Sequence, residues 1–540
     1  MKKPLIIFAV VLVATGVFVL GCHRSAQPSA HNGTMIIGME NDVPTFDTLK
    51  LGNVFALRVA SEVFEGLTRL NESNQIVGAV ADSWDHSQDF KAWTFHLRNG
   101  VMFQPNPDLN ETNRSLTAAD VVYSFTRMLS KDAVTAGPLS SELEGAKDYQ
   151  DGKATSVSGI HIVSPEQVEF VLTTPDSLFP GRISSPAYGI VKKAVVEAAG
   201  PNFGQTVAVG TGPFQFVERQ GNDLILKRYD QYWGPKSEID TAIFRTVKED
   251  AVRLAQAKAG QLDVTYATPP MLDGLVEKTN DILRVKAGET KMLSLLSYPV
   301  FDTYFLAFNY PKVDPDLRRA IALAVDRDQI VSAVVPLTGI SAAGPVPLAC
   351  AGYDTQVKAT ALHLDAAKAA LNVYREKHPG ETPKLEILTC EVGQSTQIGE
   401  VLQSQLKQIG IEVDLQQVSF NAVVQHLQKG DFQSVAIFFE YQYSLPQLIL
   451  QNFFTTAAVP LPNVFYYNKP ENDAAIATLF TTGDEKVSLE QAAEVEKKLV
   501  DDAPGVFLYQ TRQVILLNPN LQGVEFNGAN FPILTHASWK

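Results

Sequence analysis

Cys22 has the most specific chemical setting in this sequence. Lys2 and Lys3 are followed by an uncharged run from Pro4 to Gly21, which closes on Val19, Leu20 and Gly21 just before the thiol. A short basic segment, an apolar stretch and small residues ahead of a cysteine form the pattern of an export signal. Cleavage at such a signal leaves an acylated cysteine at the new N-terminus. Each buried methylene of the acyl chains contributes about 0.8 kcal/mol, so two or more chains hold a protein on a bilayer. The expectation is a signal peptide over 1–21, a lipidated Cys22, and a tether over 22–33 rich in Ser, Ala, Gln, Pro and Asn. The competing reading, an uncleaved span of roughly 20 residues, leaves the position of the cysteine unexplained.

Little else in the chain is poised for chemistry. Cys350 and Cys390 can pair in an oxidising compartment, but nothing in their spacing demands it. Nine histidines are scattered without metal-ligand spacing; His96 in a strand and His363 before a helix read as surface or cap residues. There is no phosphate-binding glycine loop, no HExxH, no GxSxG, no paired CxxC and no GxGxxG after a strand. The expectation is a chain without catalytic residues, metal or cofactor. A net charge of -14 excludes a nucleic-acid partner, which calls for clustered Lys and Arg.

The elements that position any site are those of a mixed α and β protein. With 540 residues, 45% hydrophobic and 19% charged, the chain can bury a large core divided among two to four domains. Met35, Ile36 and Ile37 form a strand, stopped by the turn formers between Gly38 and Pro44. Trp93, Phe95 and Leu97 alternate with Thr94, His96 and Arg98, and Val168, Phe170 and Leu172 repeat the period of two. Between these strands Thr117 and Asp120 form a capping box ahead of a stripe of Val121, Val122, Phe125 and Leu129. The second half alternates helix and strand. Ile398, Leu402, Leu406 and Ile409 have helical spacing, Gly410 stops the helix, and Ile411, Val413 and Leu415 alternate. Leu317, Ile321, Ala324 and Val325 stripe a helix after Pro315, and Ser488 with Gln491 caps one carrying Val495 and Leu499. Such alternation implies parallel sheet covered by helices. Near residue 440 the aromatics Phe438, Phe439, Tyr441 and Tyr443 crowd together, and a strand would point only half of them to one face.

Eight blocks in order carry a family resemblance. They are Phe64-Glu65-Gly66-Leu67-Thr68-Arg69-Leu70, Ala79 to Trp84, Trp93 to Val101, Leu116 to Phe125, Gly210-Thr211-Gly212-Pro213-Phe214, Tyr229 with Tyr232-Trp233-Gly234, Ala259 to Val264, and Asp316 to Arg327. Together they resemble the family 5 extracellular solute-binding proteins, which feed peptides or nickel to ABC importers. By themselves most of these residues read as structural: Trp84, Trp93 and Phe95 as core aromatics, Gly210 and Gly212 as turn glycines, and Arg318 as a helix-face charge.

The resemblance implies a two-lobed periplasmic-binding-protein fold, type II-like and of cluster C, with an extra domain in the first lobe. It puts the first lobe at 34–300 and 508–540, the extra domain at about 48–185, and the second lobe at 301–507, with crossings near Tyr298 to Asp302 and Phe507 to Tyr509. It also implies a cleft where ligand backbone pairs with Glu40, Asn41, Asp42 and Val43 and with Phe438, Phe439 and Glu440, beside Tyr441, Gln442 and Tyr443. Peptide binders of the family hold an aspartate against the ligand ammonium; counting back from Pro446, that place falls on Gln442. The departure favours a ligand without an exposed amine, since an unpaired buried ammonium costs several kcal/mol. Otherwise Glu440 or Asp42 must face it. The function implied is a monomeric lipoprotein that delivers a peptide or similar small polar solute to an ABC permease and ATPase. The alternatives are a periplasmic receptor or chaperone without a transport partner, and a hydrolase of peptides or cell-wall fragments. His23 after the cysteine resembles the sorting pattern of lipoproteins of an outer membrane.

Overall fold

The computed structural model describes residues 33–109, 113–134, 137 and 139–540. The signal peptide, Cys22 and the tether through residue 32 lie outside the described residues.

Alternation sets the first strand: Met35, Ile37 and Met39 of Thr34–Met39 are almost wholly buried. It runs parallel to Thr241–Thr246 on one side and to Val264–Ala267 on the other. A sheet of twelve strands grows from this pair among the described residues. Its spatial order is Glu412–Gln417, Lys384–Thr389, Ser434–Glu440, Asp302–Phe308, Gly505–Leu517, Val264–Ala267, Thr34–Met39, Thr241–Thr246, Asp223–Arg228 and Phe214–Gln220. Ser294–Pro299 and Gly339–Ser341 also pair with Gly505–Leu517.

The 13-residue strand Gly505–Leu517 joins two halves. From Gly505 to Tyr509 it pairs with Asp302–Phe308, and from Val514 to Leu517 with Val264–Ala267. Another passage between those halves among the described residues runs through Pro299 to Asp302, where Val300 and Phe301 donate backbone hydrogen bonds to Thr511 and Gly528. The protein is therefore two-lobed, with a mixed α/β sheet shared between the lobes.

In the far half the central strand Asp302–Phe308 is buried on both faces, whereas the edge strand Glu412–Gln417 is partly exposed. Tyr304, Leu306 and Phe308 pack under the helices Pro315–Ala324 and Ser395–Lys407, whereas Phe305 and Ala307 face Phe465, Leu499 and Phe507 on the opposite side. Gly410 has a φ of 85° and ends its helix just before Glu412–Gln417, as its left-handed stop requires. Near the first half, Ala81–His86, Ala92–Leu97, Gln167–Val171 and Ile160–Ser164 form a separate four-stranded antiparallel sheet. Helix Ala118–Met128, opened by the Thr117 and Asp120 capping box, covers it through Phe125, whose ring lies 4.8 Å from that of Phe170.

Four local expectations are corrected. The helix over Glu485–Asp502 is capped by Asp484, whose carboxylate accepts from Val487 N–H, so Ser488 lies inside it and donates to the Leu479 carbonyl instead. Arg318 is 5% exposed, not a surface charge; it donates to the Tyr310 and Val313 carbonyls with its guanidinium over the Tyr310 ring. Gly210 and Gly212 are needed for close approach: a Cβ on either would strike the Val63 carbonyl. Trp84 is only half-buried, unlike Trp93 and Phe95. Cys350 and Cys390 are buried free thiols.

Candidate ligand-binding site

The segment after the first strand and the end of Ser434–Glu440 meet near Arg58. Glu40 accepts from Arg58 Nη1 at 2.9 Å, and the guanidinium lies 3.7 Å above the Tyr266 ring. Glu440 interacts electrostatically with both Arg58 and Glu40, and has no hydrogen-bond or ion-pair partner among the described residues. It is exposed at its tip yet set among enough protein that burial, and secondarily Glu40, push its carboxyl upward. Directly across the strand pair stands Asp302, 6% exposed, whose carboxylate accepts from the Thr511 backbone N–H and hydroxyl. Burial outweighs these two donors and raises Asp302 to about 7. Like charges facing each other across strands are unfavourable. This floor therefore concentrates carboxylates beyond what Arg58 balances.

The other expected residues of the near wall divide. Asn41 and Asp42 are exposed; Asp42 pairs with Lys248 at 2.5 Å and lines an outer depression with Asp223 and Arg245. Val43 is buried, and its carbonyl accepts from Arg219. On the far wall, alternation separates the aromatics as strand geometry requires. Phe438 stacks on Tyr304 at 4.8 Å, while Phe439 turns to Phe305 at 5.0 Å and Phe453 at 4.3 Å. Tyr441 is 2% exposed, packs against Phe453 and donates to the Pro345 carbonyl.

Gln442 and Tyr443 face a cavity of about 320 Å³ whose opposite wall comes from the first half of the chain: Asn53, Leu57, Arg182, Ser185 and Tyr188. Gln442 Oε1 is buried there without a hydrogen-bond partner. Arg182, 2% exposed, donates to Asp176 at 2.7 Å and to Gln451 at 2.9 Å and pairs with Glu142 at 3.1 Å. Burial opposes its charge, but the two carboxylates more than offset this and hold it above its ordinary value. Burial also raises Glu142 to about 6, against the pull of Arg182. Sequence reasoning missed Arg58 and Arg182. Both are single arginines in apolar surroundings, recruited by partners up to 269 positions away, and no local pattern marks them.

Among the described residues no group of three or more His, Cys, Asp or Glu could hold a metal ion.

Two sheet halves sharing one strand, with a cavity walled from both, define a two-lobed binding protein. The chain belongs to the bacterial extracellular solute-binding proteins, family 5; the match to the family's middle region spans residues 75–460. It is 26% identical over 454 residues to the dipeptide-binding protein of Escherichia coli, covering 81% of each chain. It is 25% identical over 521 residues to the dipeptide-binding protein DppE of Bacillus subtilis, covering 93% of this chain and 91% of that one. The fold matches HbpA2 from Haemophilus parasuis with a TM-score of 0.81 at 20% identity, covering 94% of this chain and 100% of that one. It matches the unliganded open form of the periplasmic murein tripeptide binding protein MppA with a TM-score of 0.80 at 22% identity, covering 94% and 98%.

Proposed function

We propose that this protein captures a peptide, or a similar small polar solute, between its lobes and delivers it to an ABC permease while anchored through a lipid on Cys22. The observation that carries the reading is the cavity between Gln442 and Tyr443 on one wall and Asn53, Arg182 and Tyr188 on the other. A pocket built from two lobes whose chain connections are one strand and one short passage is suited to closing by hinge motion, which needs few residues to change conformation. Relatives named as dipeptide-binding proteins support the ligand class, as does a fold neighbour from Helicobacter pylori in complex with the peptide STSA. In this reading ligand backbone runs along Glu40 to Val43 and Phe438 to Glu440, and Gln442 and Tyr443 meet one end of it. The segment boundaries 34–300, 301–507 and 508–540 for the lobes, with the extra domain at about 48–185, belong to the same proposal.

The test is calorimetry with di- and tripeptides, together with mass spectrometry of any ligand that co-purifies. Small-angle scattering should show a smaller radius of gyration in the complex. Tight binding without compaction removes the hinge; no binding of any peptide removes the ligand class. Cys22→Ser should release the protein from membranes or leave it unprocessed, and wild-type fractionation of that variant removes the anchor.

A further inference from the structure

A second cavity, of about 70 Å³, lies between the end of helix Val54–Val63, strand Thr68–Leu70 and the C-terminal stretch Phe531 to Thr535. Most polar groups on its wall are already used. Glu65 accepts from Tyr232 Oη at 2.8 Å and from Thr211 Oγ1 and Trp233 Nε1 at 2.9 Å. Ser61, Thr68 and Ser184 each donate to a backbone carbonyl, and Asn527 accepts from Phe531 N–H. Two groups have spare capacity. Glu62 is 2% exposed and its Oε2 is buried with no hydrogen-bond partner; Arg69 Nε is buried in the same state. They line one cavity as a carboxyl and a guanidinium, and no ion pair joins them among the described residues.

We propose that this cavity is a second ligand site that takes a small zwitterion of the amino-acid class, with its ammonium on Glu62 Oε2 and its carboxylate on Arg69 Nε. A buried polar group without its hydrogen bond is costly, and a ligand with only an ammonium or only a carboxylate relieves only one of the two. The volume admits a few water molecules or a ligand the size of glycine or alanine. Phe64, Pro186, Pro213 and Leu534 make the remaining wall apolar, which tolerates a methyl but no further polar group.

Proton linkage adds a signature. Burial pushes Glu62 up to about 8; Leu534 N–H and Arg69 act against this and Glu65 with it. Tyr232 and Tyr266, the other titratable groups facing it, are held well above neutral pH and stay uncharged. The empty site thus holds a protonated Glu62 at neutral pH, and a bound ammonium displaces that proton. Affinity rises as pH goes from 6 to 8 and then levels.

The experiment is calorimetry of the chain with glycine at pH 6 and pH 8, with methylammonium and acetate as the two halves of the ligand. Glycine should bind about tenfold or more tightly at pH 8 than at pH 6, and more tightly than either half. Glu62→Gln and Arg69→Met should each weaken it by about tenfold or more. Should Arg69→Met fail to fold, the isosteric Glu62→Gln decides. Glu440→Gln should leave glycine binding unchanged, and a peptide held in the cleft should not compete. Methylammonium binding as well as glycine, unchanged binding by Glu62→Gln, no binding heat at all, or a glycine-soaked crystal with only water in the cavity would each overturn the proposal. None of these outcomes depends on whether peptides bind between the lobes.

Discussion

Arg58 and Arg182 both stand where the two halves of the chain meet, and they are held in opposite ways. Arg182 faces Asp176, Glu142 and Gln451, so its neighbourhood is internally matched and almost sealed. Arg58 has a single carboxylate partner, Glu40, and an aromatic face, while Glu440 shares the field of that one guanidinium without an ion pair among the described residues and Asp302 stands across the strand pair from it. The first is a clasp that works without ligand. The second leaves charge available at the floor of the cleft, and perturbed, unpartnered groups of that kind cluster at functional sites. Binding capacity and architectural stability are thus assigned to different guanidinium groups.

The largest test of this contrast is Arg182→Ala, which strands the buried Asp176 and the half-buried Glu142. It should destabilise the protein by about 3 to 5 kcal/mol in chemical denaturation. A loss below about 1 kcal/mol would show that the clasp is solvated and the contrast false.

Next in size is Glu440→Gln. Measured by calorimetry with free and acetylated forms of one peptide, it should shrink any preference for the free amine by about tenfold or more, at little cost to stability. The same variant at Asp42, Asp42→Asn, should leave that preference intact, because Lys248 already holds Asp42. Equal responses at the two positions would erase the distinction between floor and rim.

The two zones should also titrate apart. Glu142 rises from an ordinary 4.5 to about 6, and Asp302 from 3.8 to about 7. A carboxyl raised on folding stabilises the protein most below its unfolded value, and that contribution is lost as pH climbs through the folded value. Unfolding free energy should therefore fall between about pH 4 and pH 7. Glu142→Gln should flatten the part near pH 6, removing about 2 kcal/mol of the pH dependence, and leave the part near pH 7. A variant with the wild-type profile would show that the clasp does not titrate.

The smallest effect belongs to Asp42→Asn on stability, about 0.2 to 1 kcal/mol at low salt and less at high salt, because both Asp42 and Lys248 are more than half exposed.

Local signals made much of the scaffold legible. The Thr117 and Asp120 capping box, the Gly410 stop and the alternation of Trp93, Phe95 and Leu97 are each set by neighbours in sequence, and each stands in the structure. The misread positions are those where a distant partner overrides the local choice. Ser488 looks like a cap but is drawn into a helix by Asp484 and bonded to Leu479. Arg318 sits on a helix whose neighbours cover it completely. The floor of the cleft was legible only in part: Glu40 and Glu440 lie in segments marked by family resemblance, but Arg58 and Asp302 join them through sheet pairing and helix packing that no spacing encodes.

The strand Gly505–Leu517 comes later in the chain than both of its neighbours, yet it lies between Asp302–Phe308 and Val264–Ala267 at the middle of the sheet. A chain that emerges N-terminus first therefore lacks the centre of both lobes until Gly505–Leu517 appears. Until then two inward strand edges stay unpaired, and exposed edges invite pairing with other chains. Neither lobe can finish alone. Loss of Gly505–Leu517 therefore costs both lobes at once, because it pairs with Asp302–Phe308 at one end and with Val264–Ala267 at the other.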